Sequence, residues 1–180
     1  MTSSAADNSL SRTFKLPKLE QIAFVVDDLH KSIKHWAEVY GVGPFVVREH
    51  IEYTKFQFEG EDSAVDYSLA QAWHGDVQIE LLQQHNDAPS VLSKFRVPRG
   101  CVHHFGTLAS DFEADEARML SMGFKCAQRV VLPNGSLLGF YTGGEILGMV
   151  ELIWLADGGI GWNKFKEAAK TWDRRSPYLE

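Results

Sequence analysis

The sequence is poor in the features that mark several large protein classes. It has two cysteines in 180 residues, Cys101 and Cys126. That is too few for a disulfide framework, so free thiols in a reducing compartment are expected. No apolar run approaches the ~18 residues a membrane helix needs, which predicts no membrane partner. Basic residues are in the minority: 18 Lys and Arg face 24 Asp and Glu, a net charge of −6. A general nucleic-acid binder usually carries a basic stripe, so no nucleic-acid partner is expected. The segment from Met1 to Arg12 lacks an apolar h-region, which argues against a secretory signal and for a cytoplasmic protein. What is present is ordinary globular material, 44% hydrophobic and 12% aromatic, enough for a sizeable core. The length suits one domain, or two small ones sharing a core.

The chain reads as two similar modules between tails. Residues 1–16 form a tail without periodicity. Leu19 to Val26 is a short apolar run, hence a strand, and Asp28 caps a helix carrying Leu29, Ile33, Trp36 and Tyr40 that Gly41 stops. Three strand-like stretches follow, Phe45 to Phe58, Ala64 to Trp73 and Asp76 to Gln84, completing a first module over residues 17–86. Residues 87–100, with Pro89, Pro98 and Gly100, make a linker holding a short helical turn at Val91 to Phe95. The order then restarts in a second module over 101–156. Val102 to Ala109 is a strand, Asp111 caps a helix that Gly123 stops, and Cys126 to Leu132, Ser136 to Thr142 and Gly148 to Trp154 are strands. Residues 157–180 form a helical tail, amphipathic from Trp162 to Trp172.

The two modules match as an internal repeat. Gln21 precedes its helix-capping Asp28 by the same step as His104 precedes Asp111. Glu80-Leu81-Leu82 near the end of the first module answers Glu151-Leu152-Ile153 near the end of the second. The fold class expected is therefore α+β, two βαβββ modules whose curled mixed sheets form a cup.

Four strands each hold one metal-capable polar residue in apolar surroundings: Gln21, Glu80, His104 and Glu151. Side chains alternate across a strand, so Gln78, Glu80 and Leu82 face one way and Ile79 and Leu81 the other. Glu151 likewise opposes Val150 and Leu152. Any one of these residues taken alone reads as a solvated contact on an open sheet. All four at repeat-related positions point to one shared site, because two converging carboxylates repel unless a proton or cation lies between them. One imidazole, one amide oxygen and two carboxylates suit one divalent ion such as zinc, nickel or cobalt.

Gln21-Ile-Ala-Phe-Val-Val-Asp-Asp-Leu29, Gly41-Val-Gly-Pro-Phe45, Val77-Gln-Ile-Glu-Leu-Leu82, His103-His-Phe-Gly106 and Gly148-Met-Val-Glu-Leu152 together resemble the vicinal oxygen chelate superfamily. That superfamily includes glyoxalase I, methylmalonyl-CoA epimerase, bleomycin-resistance proteins and extradiol dioxygenases. The resemblance implies a metal-holding cup with Gln21, Glu80, His104 and Glu151 as ligands and His103 turned to the opposite side. It implies proton abstraction beside a carbonyl or thioester, by an isomerase, epimerase or lyase whose enolate a metal stabilises. Glu151 would be the metal-bound base, and Asp66 in Val65-Asp66-Tyr67 a second acid/base, as in epimerase-type members. The glutathione pattern of glyoxalase I is not reproduced, since Val25 and Gln84 stand where Arg and Asn are expected. The single histidine disfavours iron dioxygenase chemistry. The alternative within the superfamily is a metal-independent binder of small molecules. The resemblance and the apolar content imply a homodimer.

Other conspicuous residues have plainer readings. Trp36 and Tyr40 fit the buried stripe of their helix. His30, His35, His50, His74 and His85 sit in polar contexts and face solvent. Lys164, Lys166, Lys170, Arg174 and Arg175 form a solvated face of the tail. Cys101 and Cys126 lack a neighbouring base and are structural.

Overall fold

The computed structural model describes residues 16–143 and 148–179; the expected N-terminal tail lies almost wholly outside them. Along the chain run β1 (Leu19–Val25), α1 (Leu29–Tyr40), β2 (Val46–Arg48), β3 (Lys55–Phe58), β4 (Glu61–Asp62), β5 (Tyr67–His74) and β6 (Val77–Gln84). Then come α2 (Val91–Lys94), β7 (His104–Leu108), α3 (Phe112–Ser121), β8 (Phe124–Val131), β9 (Leu137–Gly143), β10 (Met149–Trp154) and α4 (Ile160–Lys170). The helix boundaries follow local chemistry. The Asp28 side chain accepts from the Lys31 N–H, and Gly41, at φ 64°, closes α1 in the left-handed conformation a β-carbon disfavours. Asp111 repeats the cap on α3 by accepting from the Ala114 N–H.

All the strands join one curled, unclosed mixed sheet in the order β2-β5-β6-β1-β7-β10-β9-β8-β3-β4. At its centre β1 and β7, the first strands of the two modules, pair antiparallel with Ala23 opposite His104 and Gln21 opposite Gly106. The modules thus meet edge to edge within one chain. Their outer faces carry the helices. Leu29 and Ile33 of α1 pack with Ala70, Ala72, Ile79 and Leu81, while Phe112 and Met119 of α3 pack with Tyr141, Val150 and Leu152. The inner face lines the cup, where Ala23, Tyr67, Leu82, Val130, Phe140 and Met149 form a further apolar cluster.

Two expectations change. The stretch from Phe45 to Phe58 is not one strand. It ends as β2 at Arg48, crosses over at residues 49–54 and resumes as β3, which pairs with β8 of the other module, Phe56 opposite Val130. The break falls at Glu49-His50, where His50 takes φ 48° and leaves the extended backbone. Tyr40 is not core: it is 57% exposed, because it stands one turn beyond the part of α1 that rests on the sheet. The expected helical turn of the linker is present as α2. Ser90 caps α2 in a capping box, and Val91 and Leu92 are buried in the inner cluster.

The C-terminal segment covers one side of the cup. Trp162 on α4 meets Trp73 edge to face, ring centroids 5.2 Å apart, and packs with Ile153. The chain then returns to the first module, where the Phe45 N–H donates to the Pro177 carbonyl at 2.7 Å and the Leu179 N–H to the Phe45 carbonyl at 2.9 Å.

Phe56 tests the crossover hairpin. It is 4% exposed and packs against Tyr53 and Tyr67. Phe56→Ala should lower unfolding stability by about 3 kcal/mol or more, measured by urea titration; a loss under about 1 kcal/mol would mean the hairpin is not part of the folded core.

Candidate metal centre

Alternation delivers the polar set to one place. Gln21 on β1, Glu80 on β6, His104 on β7 and Glu151 on β10 all point inward and are at most 4% exposed. Glu80, His104 and Glu151 each offer a ligand atom within 4.8 Å of the others. His104 Nε2 stands 3.4 Å from Glu80 Oε2 and 3.3 Å from Glu151 Oε2. Gln21 borders the same cavity, its Nε2 donating to Gln78 Oε1 at 2.8 Å, which leaves its carbonyl oxygen free. Gln21 Oε1, His104 Nε2 and Glu151 Oε2 are all buried without a hydrogen-bond partner. Unsatisfied buried polar atoms are costly, and a divalent cation would satisfy this acceptor-rich set. Gly106 makes the room: a β-carbon there would come 2.4 Å from Gln21 Oε1.

Electrostatics point the same way. Burial, and then the Glu80 charge, push the Glu151 carboxyl well above the usual carboxylate range, against the pull of His104. Burial works against a charge on His104, but Glu151 and Glu80 outweigh it and raise its pKa to about 9. The two carboxylates thus retain a proton on the imidazole unless another cation takes its place.

Neighbouring side chains hold these groups in position. His103 Nε2 lies 3.2 Å from the Val91 carbonyl, and His103 Nδ1 lies 2.9 Å from His104 Nδ1. A carbonyl only accepts, so His103 Nε2 carries the proton and its Nδ1 accepts from His104. That assignment leaves Nε2 as the nitrogen that faces the carboxylates, carrying the second proton or, when a cation displaces it, presenting its lone pair to the cation. Burial, with the His104 charge, keeps His103 neutral by lowering its pKa to about 4. On the other side Arg48 Nη1 donates to Gln71 Oε1 at 2.7 Å, and Gln71 Nε2 donates to Glu80 Oε1 at 2.7 Å. The remaining wall is largely apolar: Leu69, Leu82, Leu138, Phe140, Trp162 and Phe165.

The family model described as Glyoxalase/Bleomycin resistance protein/Dioxygenase superfamily matches residues 20–137. The chain belongs to this superfamily. Several solved structures share its fold. Methylmalonyl-CoA epimerase from Mycobacterium tuberculosis is 19% identical with a TM-score of 0.52, over 82% of this chain and 93% of that one. A Streptomyces coelicolor methylmalonyl-CoA epimerase variant in complex with 2-nitronate-propionyl-CoA is also 19% identical with a TM-score of 0.53, over 79% of this chain and 97% of that one. A hypothetical protein from Bacillus halodurans is 17% identical with a TM-score of 0.56, over 77% and 94%. No curated protein sequence matches the chain.

Within this superfamily member, the residues singled out from the sequence divide. Gln21, Glu80, His104 and Glu151 come together. Asp66 does not join them. Tyr67, Leu69 and Gln71 are the residues of that segment that line the cavity. Asp66, one residue earlier, turns outward and pairs with His50 Nδ1 at 2.7 Å. His103 does not face away. It precedes β7, so strand alternation does not govern it, and it folds against His104 beneath α2. Arg48 and Gln71 escaped sequence reasoning; the period-two pattern of β5 offered Gln71, but nothing local offered Arg48.

Two outcomes follow. Removing His104 with His104→Ala should abolish tight divalent-metal binding, whereas His103→Ala should weaken it about 10–100-fold, the usual cost of a lost orienting partner; calorimetric zinc titration distinguishes these, and equal affinities in the two variants would refute the arrangement. In chelator-treated protein the protonated His104 adds stability that is complete below its ordinary pKa of ~6.5 and disappears as pH rises through about 9. Urea midpoints should therefore fall across that window, and in His104→Ala the fall should instead begin at lower pH, in the ordinary carboxylate range, because the raised Glu151 carboxyl remains beside Glu80.

Proposed function

We propose that the protein is a divalent-metal-dependent enzyme that removes a proton from carbon next to a carbonyl or thioester group, as an isomerase, epimerase or lyase. The observation that carries this reading is the buried Glu80, His104 and Glu151 cluster with the free Gln21 carbonyl beside it, at the bottom of an apolar cavity. A cation held by these four residues would supply positive charge opposite a developing oxyanion. Glu151 is the base: its carboxylate takes the proton as the C–H bond breaks and the electron pair shifts to the carbonyl oxygen. Its raised proton affinity suits a group that must both accept and return a proton. Gln21, Glu80 and His104 keep their positions, fixed by Gln78, Gln71 and His103. Arg48, at the mouth of the cavity, offers a cation to an anionic part of the substrate.

A CoA thioester is the substrate class that the structural relatives favour, since one of them is in complex with a CoA compound. Asp66 has no part in the reaction, because it lies outside the cavity. The protein is read as cytoplasmic and homodimeric, with Val39 and Tyr40, both well exposed on α1, available for subunit contact; sedimentation at micromolar concentration tests the dimer. No helix among the described residues is long and apolar enough to cross a membrane. The apolar wall also favours a second reading, a metal-independent small-molecule binder, which would purify without stoichiometric metal.

The test is proton exchange. Wild-type protein with zinc or cobalt should wash deuterium from D2O into methylmalonyl-CoA, and Glu151→Gln should slow this by about two orders of magnitude or more. Asp66→Asn should leave the exchange rate at the acidic carbon unchanged. Full exchange in a metal-loaded Glu151→Gln variant would remove Glu151 from the role of base.

A further inference from the structure

A second group of metal-capable side chains lies outside the cup, where the crossover leaves the sheet. Glu49 and His50 follow the end of β2, and His85 follows the end of β6. Each offers a donor atom within 4.8 Å of the other two. The His50 and His85 rings lie side by side, centroids 4.8 Å apart and planes inclined by 35°. His50 reaches this place with φ 48°, left-handed backbone that few side-chain-bearing residues adopt, Asn, Asp and His the most often.

The cluster is organised from beneath by Ser68, which is fully buried on β5. The Ser68 hydroxyl oxygen accepts from the His50 backbone N–H at 3.0 Å and lies 2.7 Å from His85 Nε2. That contact engages His85 through Nε2, which leaves His85 Nδ1 as its second, outward donor atom. His50 is set in the same way. Its Nδ1 lies 2.7 Å from Asp66 Oδ1, and a carboxylate only accepts, so Nε2 is the free nitrogen. His30 Nε2 contacts Glu49 Oε1 at 2.8 Å, which leaves the second carboxylate oxygen unengaged by that pair.

Two imidazoles each held through one ring nitrogen, one carboxylate, and a carboxylate behind one of the imidazoles make a donor set suited to a first-row divalent ion with open positions for water. We propose that Glu49, His50 and His85 form a second divalent-metal site on the outside of the cup, in which Asp66 orients His50 and Ser68 orients His85. The ion ties the crossover at residues 49–54 to the ends of β2 and β6. It therefore steadies the segment that carries Arg48 and Ile51, both of which border the cavity. The site shares no ligand with the inner cluster, so either can exist without the other.

Zinc titration of chelator-treated protein, counted by native mass spectrometry, is the experiment. Wild-type protein should take two equivalents, and His85→Ala one. The variant Glu80→Gln/Glu151→Gln, with the inner cluster disabled, should keep one equivalent, and zinc should raise its melting temperature, as binding to the folded state requires. Asp66→Asn, which leaves all three ligands in place, should weaken the outer equivalent about 10–100-fold. If the inner-cluster variant binds no zinc, or if His85→Ala binds as many equivalents as the wild type, the outer site does not exist. If wild type binds one equivalent that His85→Ala loses and Glu80→Gln/Glu151→Gln keeps, the outer site stands and the inner metal reading fails.

Discussion

The structure turns on the meeting of two buried carboxylates and one buried imidazole at the bottom of a cup. Glu80 and Glu151 repel each other in a medium where charge is poorly screened. They persist there only with a proton or a cation between them. Much of the surrounding architecture serves to keep that meeting in place. The pairing of β1 with β7 brings the modules into one sheet. Gly106 leaves space where a side chain would displace Gln21. Gln71 and His103 hold Glu80 and His104 in single orientations.

The cup itself follows from how the sheet distributes its polar and apolar faces. The helix-bearing outer faces take Ile79, Leu81, Val150 and Leu152, which leaves Glu80 and Glu151 on the inside with Leu82 and Ile153. Burial of the outer faces under α1 and α3 contributes stability, and it offsets the expense of an ionisable interior. The long C-terminal segment adds Trp162 and Phe165 to the inner wall, so the cavity is built from both modules and from the tail.

The crossover is the least regular part of the fold and the most consequential. By leaving the first module after Arg48 and joining β8 of the second, it braces the two outer strands of the cup against each other. It departs from the sheet at His50, in left-handed backbone, and the hydrogen bonds of Ser68 and Asp66 hold it there. Asp66, which looked like a partner of Glu151 in the sequence, belongs instead to this outer network.

The repeat, the helix caps and the inward set of Gln21, Glu80, His104 and Glu151 could be read from the sequence, because each depends on local rules. A strand of period two fixes which side chains share a face, and an aspartate before an apolar helix fixes its start. What the sequence could not supply is anything that depends on where segments distant in the chain come to rest. Strand alternation cannot place His103, which stands just before β7, or decide which face of the segment containing Asp66 looks into the cup. Local pattern cannot split Phe45 to Phe58 into two strands on opposite edges of the sheet, or bring Arg48 to the mouth of the cavity. Those outcomes were decided by tertiary packing, in which the burial of Phe56 and Phe58 inside the cup outweighs the continuity of one extended strand.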